Sequence, residues 1–247
     1  MRLLLLLLLV SGCAGLPGPT VDEVKELAPS GRLRAAVNFG NTVLAQRGPA
    51  GEPRGVSVEL ARELGRRLGV PVDLVFYDAA GRVTDAARAK AWDVAFIAID
   101  PKRADDIDFT APYVVIEGTY LVRADSPLRK VEDFDREGIR ITVGAKSAYD
   151  LYLSRTLKRA QIVRSPTSPG AIELFVKDRL EASAGVKNPL MDYAKAQPGY
   201  RVIEPGFMKI EQAMGTPRGR PNGARYLRAF VEEMKASGFV ERNLTPP

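Results

Sequence analysis

The 247-residue chain has no histidine, one cysteine and one tryptophan. Without histidine it has no imidazole general base, no Ser-His-Asp triad and no histidine metal site. With one cysteine it has no intrachain disulfide, no CxxC redox pair and no cysteine-rich zinc site. These absences exclude much hydrolytic, redox and metal-dependent chemistry, so we expect neither a cofactor nor a metal.

The rest of the composition is that of an ordinary globular protein. Hydrophobic residues make up 45% and charged residues 27% of the chain, which is typical of a folded domain. The length suits one large domain or two lobes of about a hundred residues each. The net charge of +6 comes from basic residues dispersed among acidic ones, without a basic run interleaved with aromatics, so we expect no nucleic-acid partner.

The N-terminus predicts export. Met1 and Arg2 precede an apolar run, Leu3–Val10, and small residues follow it. A positive start, a short apolar run and small residues are typical of a secretory signal. The run is too short to cross a bilayer as a helix. We predict a signal peptide over residues 1–12 and a protein of the periplasm or cell surface.

The single cysteine has a specific place in this segment. The run Val10-Ser11-Gly12-Cys13 resembles the lipobox of bacterial lipoproteins, in which cleavage before the cysteine accompanies lipidation of its sulfur. The alternative is a plain signal peptide that happens to contain a cysteine. We favour a lipoprotein attached to the membrane through Cys13 only, with residues 13–29 as a lipidated tether.

From about residue 30, predicted strands alternate with predicted helices. The predicted strands are 33–37, 72–76, 94–99, 120–123, 139–143, 182–186 and 210–214. The predicted helices are 56–68, 83–91, 147–157, 171–177, 189–196 and 226–234. This alternation predicts an α/β fold with mainly parallel sheets, whose ligands lie beyond the carboxyl ends of the strands.

One segment carries a resemblance to a known family. Asp93-Val-Ala-Phe-Ile-Ala-Ile-Asp-Pro-Lys-Arg103, followed by Asp108-Phe-Thr-Ala-Pro-Tyr113, resembles the bacterial extracellular solute-binding proteins of family 3, the polar amino-acid type. Further landmarks follow the family's order over residues 30–245, namely Gly55–Leu60, Gly144–Ser147, Arg179–Ala182 and Val231–Val240.

The resemblance implies a type II periplasmic-binding-protein fold. Its two α/β lobes are joined by two crossover segments and close by a hinge on a ligand in the cleft. The first lobe would comprise residues 30–118 and 208–245, and the second residues 119–207. Such proteins deliver a solute to the permease of an ABC importer, and we expect a monomer.

Arg103 is the first candidate for ligand binding. In the family the matching arginine grips the ligand's carboxylate, for which a guanidinium offers a planar fork of donors. The alternative is a surface arginine paired with Asp105 or Asp106. Backbone amides just after Ala98 would share the carboxylate, and Asp100 would cap the following turn or orient Arg103.

The second lobe contributes a predicted helix start at Ser147. Free N–H groups at a helix N-terminus favour anions, so Ser147 and the Ala148 amide are candidates to clamp the same carboxylate. A simple N-cap is the compatible alternative for Ser147. Lys146 adds positive charge at this edge, and Tyr149 either covers the ligand or lies on the surface.

Three departures from the family pattern point to an anionic ligand. Ser and Thr are missing from the strand before Arg103. Asn38 and Asn41 lie in a loop where many members carry an acid and an aromatic. Lys187 and Asn188 follow a strand where the ammonium-binding acid is expected, and a cation there would repel an ammonium. Lys187 could instead point to solvent, and Arg82, a further cation, could lie on the outer face.

The main alternative is an enzyme on the same fold, a periplasmic dehydratase acting on cyclohexadienyl acids such as arogenate. Its acid or base would have to be Glu117, Glu173, Asp100 or Lys187. A sensory ligand-binding module is a further alternative. We favour a non-enzymatic binding protein for a small carboxylate-bearing solute, amino-acid-like or an organic acid, with an anion preferred over a zwitterion.

Overall fold

A computed structural model describes residues 18–244 of the chain. The predicted signal peptide, Cys13 and the first part of the predicted tether lie outside these residues. The described chain folds as mixed α/β, with one nine-stranded sheet, a two-stranded ribbon and eight α-helices within residues 18–244. Among these residues, no helix combines the length and the apolar character needed to cross a membrane.

The strands are β1 (Leu33–Asn38), β2 (Gln46–Arg47), β3 (Pro53–Arg54), β4 (Val72–Tyr77), β5 (Val94–Ala98), β6 (Ile107–Arg123), β7 (Arg140–Gly144), β8 (Gln161–Ser165), β9 (Ala182–Val186), β10 (Tyr200–Val202) and β11 (Met208–Pro217). The α-helices are α1 (Val21–Leu27), α2 (Val56–Leu68), α3 (Ala80–Arg88), α4 (Ala148–Thr156), α5 (Ser168–Lys177), α6 (Lys187–Ala196), α7 (Pro221–Ala236) and α8 (Phe239–Asn243).

The sheet is built from two parallel groups joined by two long strands. Its order is β4-β1-β5-β11-β6-β9-β7-β8, and β10 pairs with the end of β6. β1 is parallel to β4 and β5, and β7 is parallel to β8 and β9. β6 and β11 are antiparallel to each other and link the groups. We define the first lobe as the part built on β1, β4 and β5, and the second as the part built on β7, β8 and β9.

Each lobe has an apolar core. In the first lobe, Leu60 and Leu64 lie fully buried on one face of α2, as their spacing of four residues predicts. Gly69 ends this helix at φ 68°, a conformation that glycine adopts without strain. In the second lobe, Tyr120 stacks on Phe134 with their ring centroids 3.8 Å apart.

α1 (Val21–Leu27) lies within the segment that was predicted as a tether, residues 13–29. Thr20 and Glu23 form a capping box at its start, and Leu27 is fully buried in the core of the first lobe. Glu23 pairs with Arg225 at 3.0 Å, and Glu26 accepts a hydrogen bond from the Gly223 amide at 2.7 Å. The first lobe therefore includes residues before the predicted boundary at 30.

The largest difference from the predicted elements is the length of β6. The sequence indicated a strand only over 120–123, but β6 runs for 17 residues from Ile107 to Arg123. Its two-sided pairing with β11 and β9 does not depend on a local apolar pattern. β8 and β10 were not predicted, and α3 begins three residues before its predicted start at Val83.

Candidate functional site

A small cavity lies between the lobes, where the carboxyl ends of β1, β5, β7 and β9 converge. Its volume is about 40 Å³, which is room for a few water molecules. A larger solute can enter only if the lobes separate. The residues that line it are Asn38, Gly40, Asn41, Ala80, Ile97, Ala98, Arg103, Ser147, Ala148, Tyr149, Ser168, Val186, Ile210 and Gln212.

Arg103 follows β5 and extends its guanidinium into this cleft. Its Nη1 donates to the Ala98 carbonyl at 2.7 Å and its Nη2 to the Lys146 carbonyl, in the second lobe, at 2.9 Å. The side chain is 1% exposed, and its Nε has no hydrogen-bond partner within the described residues. One donor of the fork is thus buried and unused.

The positive charge of Arg103 is also uncompensated by contact. Within residues 18–244 it forms no ion pair, since both of its hydrogen bonds go to backbone carbonyls. Burial lowers the pKa of this guanidinium to about 10, although nearby Asp100 acts in the opposite direction. It remains a cation at neutral pH, and burying an unpaired cation is costly. An anion beside Nε would remove that cost.

The second lobe brings two helix starts to the cavity. Ser147 is the N-cap of α4, and its Oγ accepts from the Asp150 amide at 3.1 Å, so the predicted N-cap is confirmed. Tyr149 is 3% exposed and hydrogen bonds to Ser168 of α5, with 2.7 Å between the hydroxyl oxygens. Burial raises the pKa of Tyr149, so it stays a neutral hydroxyl. The Ser147 and Ser168 hydroxyls can donate to an anion without adding charge, whereas the Tyr149 hydroxyl already donates to Ser168 Oγ.

The first lobe and the linking strands contribute neutral amides. Asn38 accepts from the Gly40 amide at 2.9 Å, which shapes the loop after β1. The Oδ1 of Asn41 is buried without a hydrogen-bond partner within residues 18–244. Gln212, in the middle of β11, is 5% exposed and pairs in register with Ala98.

The structure brings together Arg103, Ala98, Ser147, Ala148, Tyr149, Asn38 and Asn41 of the predicted site. Their role in ligand binding stays a prediction. Asp100, Lys146, Lys187, Asn188 and Arg82 are not among the lining residues.

Asp100 caps the turn before Arg103, since its Oδ1 accepts from the Lys102 amide at 2.9 Å. Capping was one of its two predicted roles. Lys146 contributes its backbone carbonyl to Arg103 at 2.9 Å, while its Nζ lies 2.6 Å from Asp85. Arg82 pairs with Asp78 at 3.0 Å on an exposed face.

Lys187 begins α6 and is held by two carboxylates. Its Nζ lies 3.1 Å from Glu117 and 2.6 Å from Glu204, and these partners raise its pKa, Glu204 most. This arrangement differs from both earlier expectations, a free cation facing the ligand or one pointing to solvent. Asn188 follows it in α6, half-buried.

Sequence reasoning missed Ser168, Gln212 and several apolar lining residues. Ser168 opens α5, whose predicted start was Ala171, so its position at a helix start was not recognised. Gln212 had a usable signal, because it alternates with Ile210 and Met214 on one face of the predicted strand (210–214). A polar side chain on such an apolar face needs a polar partner or a cavity. Ala80 was missed because α3 begins earlier than predicted.

Taken together, fold and cleft define a two-lobed binding protein. The family model of the bacterial extracellular solute-binding proteins, family 3, matches residues 40–244. The chain therefore belongs to that family. No curated protein sequence matches the chain.

Solved structures of the same fold are similar over nearly their whole length. A mutant of ArgBP from T. maritima is 20% identical, with a TM-score of 0.76 over 89% of this chain and 96% of that one. The Cysteine-Binding Protein from Campylobacter jejuni is 18% identical, with a TM-score of 0.77 over 89% and 90%. An ancestral amino acid-binding protein, described as a precursor of cyclohexadienyl dehydratase, is 21% identical, with a TM-score of 0.74 over 90% and 99%. At these identities the likeness concerns the fold.

Proposed function

We propose that this protein is the extracytoplasmic substrate-binding component of an ABC importer and that it binds a small carboxylate-bearing solute between its lobes. The observation that carries the proposal is the buried guanidinium of Arg103, with no paired carboxylate and an unused Nε within residues 18–244. A ligand carboxylate beside Nε would neutralise it. The hydroxyls of Ser147 and Ser168, the latter accepting from Tyr149, would complete its coordination from the second lobe.

The balance of charge in the cavity favours an anion over an amino-acid zwitterion. Arg103 is the only charged side chain among the described residues that line the cavity, and no carboxylate among them could hold an ammonium. The amides of Asn41 and Gln212 suit a neutral polar group at the other end of the ligand. The anion preference rests on Arg103 rather than on Lys187, whose charge Glu117 and Glu204 balance.

A thermal-shift panel tests this ligand class. We expect mono- or dicarboxylates to stabilise the protein, by about 2.7 kcal/mol at a hundred times Kd, and expect Arg103→Ala to lose that shift. Stabilisation by neutral or basic amino acids, without any by carboxylates, would contradict the proposal. Mass spectrometry of the solute released on denaturation would identify the natural ligand.

The proposal includes the predicted lobes, 30–118 with 208–245 and 119–207, extended at the start by α1. We further propose that the protein is a monomer and that it meets its permease on the outer side of the membrane. We infer lipid attachment at Cys13, since it is the only cysteine. Metabolic labelling with palmitate should mark the wild type but not Cys13→Ser. Equal labelling of both would contradict the lipoprotein assignment.

The dehydratase alternative is kept because one similar structure is described as a precursor of cyclohexadienyl dehydratase. Against it, the described residues that line the cavity include no carboxylate to serve as a general acid or base. Glu117, the most suggestive candidate, is paired with Lys187. Incubation with prephenate or arogenate distinguishes the binding protein from the enzyme. We expect no product. Turnover of either substrate that is lost on Glu117→Gln would favour the enzyme.

A further inference from the structure

Beside the cavity, one edge of the cleft carries two ion pairs from lobe to lobe. Asp100, which follows β5 in the first lobe, pairs at 2.9 Å with Arg155 on α4 of the second. Asp85, on α3 of the first lobe, accepts from Lys146 Nζ at 2.6 and 2.7 Å. Because each pair joins the two lobes, neither can persist when the lobes separate.

The two pairs differ in their exposure to solvent. The Asp100 side chain is 4% exposed, whereas those of Asp85 and Lys146 are 60% and 58% exposed. Water and salt screen the exposed pair strongly and the buried carboxylate less. Asp100 is also fixed by the Lys102 amide, so it presents a preorganised acceptor to Arg155.

At the same edge, the backbone of α3 comes close to the second lobe at Gly81. A Cβ on Gly81, in the first turn of α3, would be 2.9 Å from the Lys146 Cβ and 3.1 Å from the Ala145 carbonyl. Both neighbours belong to the second lobe. A methyl group there would force the lobes apart, although the φ of Gly81 is one that alanine readily adopts. Glycine at this position is therefore required by the contact between lobes rather than by α3 itself.

We propose that the Asp100–Arg155 and Asp85–Lys146 pairs form a latch that draws the lobes together without the help of a ligand, with Gly81 as the contact point that allows it. The latch adds to whatever the ligand contributes. Since a ligand that touches both lobes binds the closed form, its apparent Kd varies inversely with the closed fraction. Removing the latch should weaken binding severalfold without altering any cavity residue.

Small-angle X-ray scattering tests the latch on the full chain, freed of bound solute by unfolding and refolding. The double variant Asp85→Asn/Asp100→Asn should have a larger radius of gyration than the wild type. Its matched control is Asp73→Asn/Asp108→Asn, which makes the same charge change at pairs with Arg32 and Arg218. Equal radii for the latch variant and the wild type, or equal expansion in the control, would overturn the proposal.

Charge reversal provides a second test. Asp85→Lys and Lys146→Asp should each expand the ligand-free protein, and the two together should restore the wild-type radius. Lys146 has φ 57°, a conformation that aspartate tolerates well. Additive expansion in the double reversal would show that the pair does not join the lobes.

Gly81→Ala separates lobe contact from folding. Alanine favours a helix over glycine, so the thermal stability of the first lobe should hold while the radius of gyration rises. Gly199→Ala is the matched control, since no atom lies within 4 Å of a Cβ there. A wild-type radius for Gly81→Ala would contradict the latch. All three tests use ligand-free protein, so their outcome does not depend on the proposed function.

Discussion

Arg103 of the first lobe donates from Nη2 to the main-chain oxygen of Lys146 in the second lobe, at 2.9 Å. The guanidinium that is placed to hold a ligand is therefore also part of the contact between lobes. Its other bond, to Ala98, stays within the first lobe. Since Nε is unused, a carboxylate can join without breaking either bond. Ligand binding and closure are thus compatible at this one side chain.

We predict that Arg103→Met abolishes ligand binding but does not destabilise the ligand-free fold. Burial lowers the folded-state pKa of Arg103 to about 10, well below the usual range of an arginine, so the unfolded chain holds this proton more tightly. The buried cation thus costs stability at neutral pH, and that cost is relieved as the pH rises above about 10. In urea unfolding at pH 7, the free energy of unfolding of Arg103→Met should equal that of the wild type or exceed it by about 1 kcal/mol.

The matched control for this variant is Arg228→Met on the exposed face of α7, which should change neither binding nor unfolding. A loss of several kcal/mol in Arg103→Met alone would mean that its two carbonyl contacts outweigh the burial of its charge. Arg103→Lys should keep the charge but lose the fork, and so bind far more weakly than the wild type.

Gln212→Leu should reduce ligand affinity by about tenfold, the value of one good hydrogen bond. The side chain lines the cavity from β11, and leucine has a similar volume but no polar atom. Gln161→Leu, on the exposed surface of β8, is the control for a glutamine lost from a strand. Isothermal titration with the best carboxylate measures both. Equal affinity in the wild type and in Gln212→Leu would show that the Gln212 side chain does not contact the ligand.

The sequence was informative where structure depends on local pattern. The spacing of Leu60 and Leu64 predicted α2, and the position of Ser147 predicted the start of α4. Arg103 could be singled out because its motif is contiguous with β5. The cavity itself depends on several separate segments meeting, and neither Ser168 nor Gln212 lies in such a motif.

The partners of charged residues were least predictable. Lys187 faces Glu117, 70 residues earlier, and Glu204, and Asp100 faces Arg155. Each of these contacts is decided by how the lobes and linking strands pack. A family pattern gave the position of Lys187 but could not show that its ammonium is already paired with two carboxylates. Long-range ion pairs leave no local signal in the chain.

We predict that Lys187 acts on the segments linking the lobes rather than on the ligand. Glu117 lies on β6 and Glu204 lies before β11, so Lys187 ties together the two crossovers. Lys187→Met should lower the free energy of unfolding by roughly 0.2–1 kcal/mol, as expected for exposed pairs, and change carboxylate affinity less than threefold. In a Glu117→Gln/Glu204→Gln background the stability effect should vanish. A tenfold loss of affinity in Lys187→Met would instead favour direct contact with the ligand.

Glu63 on α2 joins a group of ion pairs whose contribution to stability depends on acid pH. Glu63 accepts from Arg66 and Arg67, and Arg67 also pairs with Glu233 of α7 at 2.6 Å. The hydrogen bond from Arg66, assisted by that from Arg67, lowers the pKa of Glu63 to about 2 from 4.5. The stabilisation is therefore complete above about pH 4.5 and is lost as pH falls toward 2.

Glu63→Gln should lower the free energy of unfolding by about 1 kcal/mol at pH 7, and this difference should shrink steadily between pH 4.5 and pH 2. Urea unfolding across that range measures it. Glu59→Gln, one turn earlier with a single exposed pair to Arg62, is the control and should show a smaller loss. A difference for Glu63→Gln that stays constant down to pH 2 would show that the loss of stability does not arise from the charge of the carboxylate.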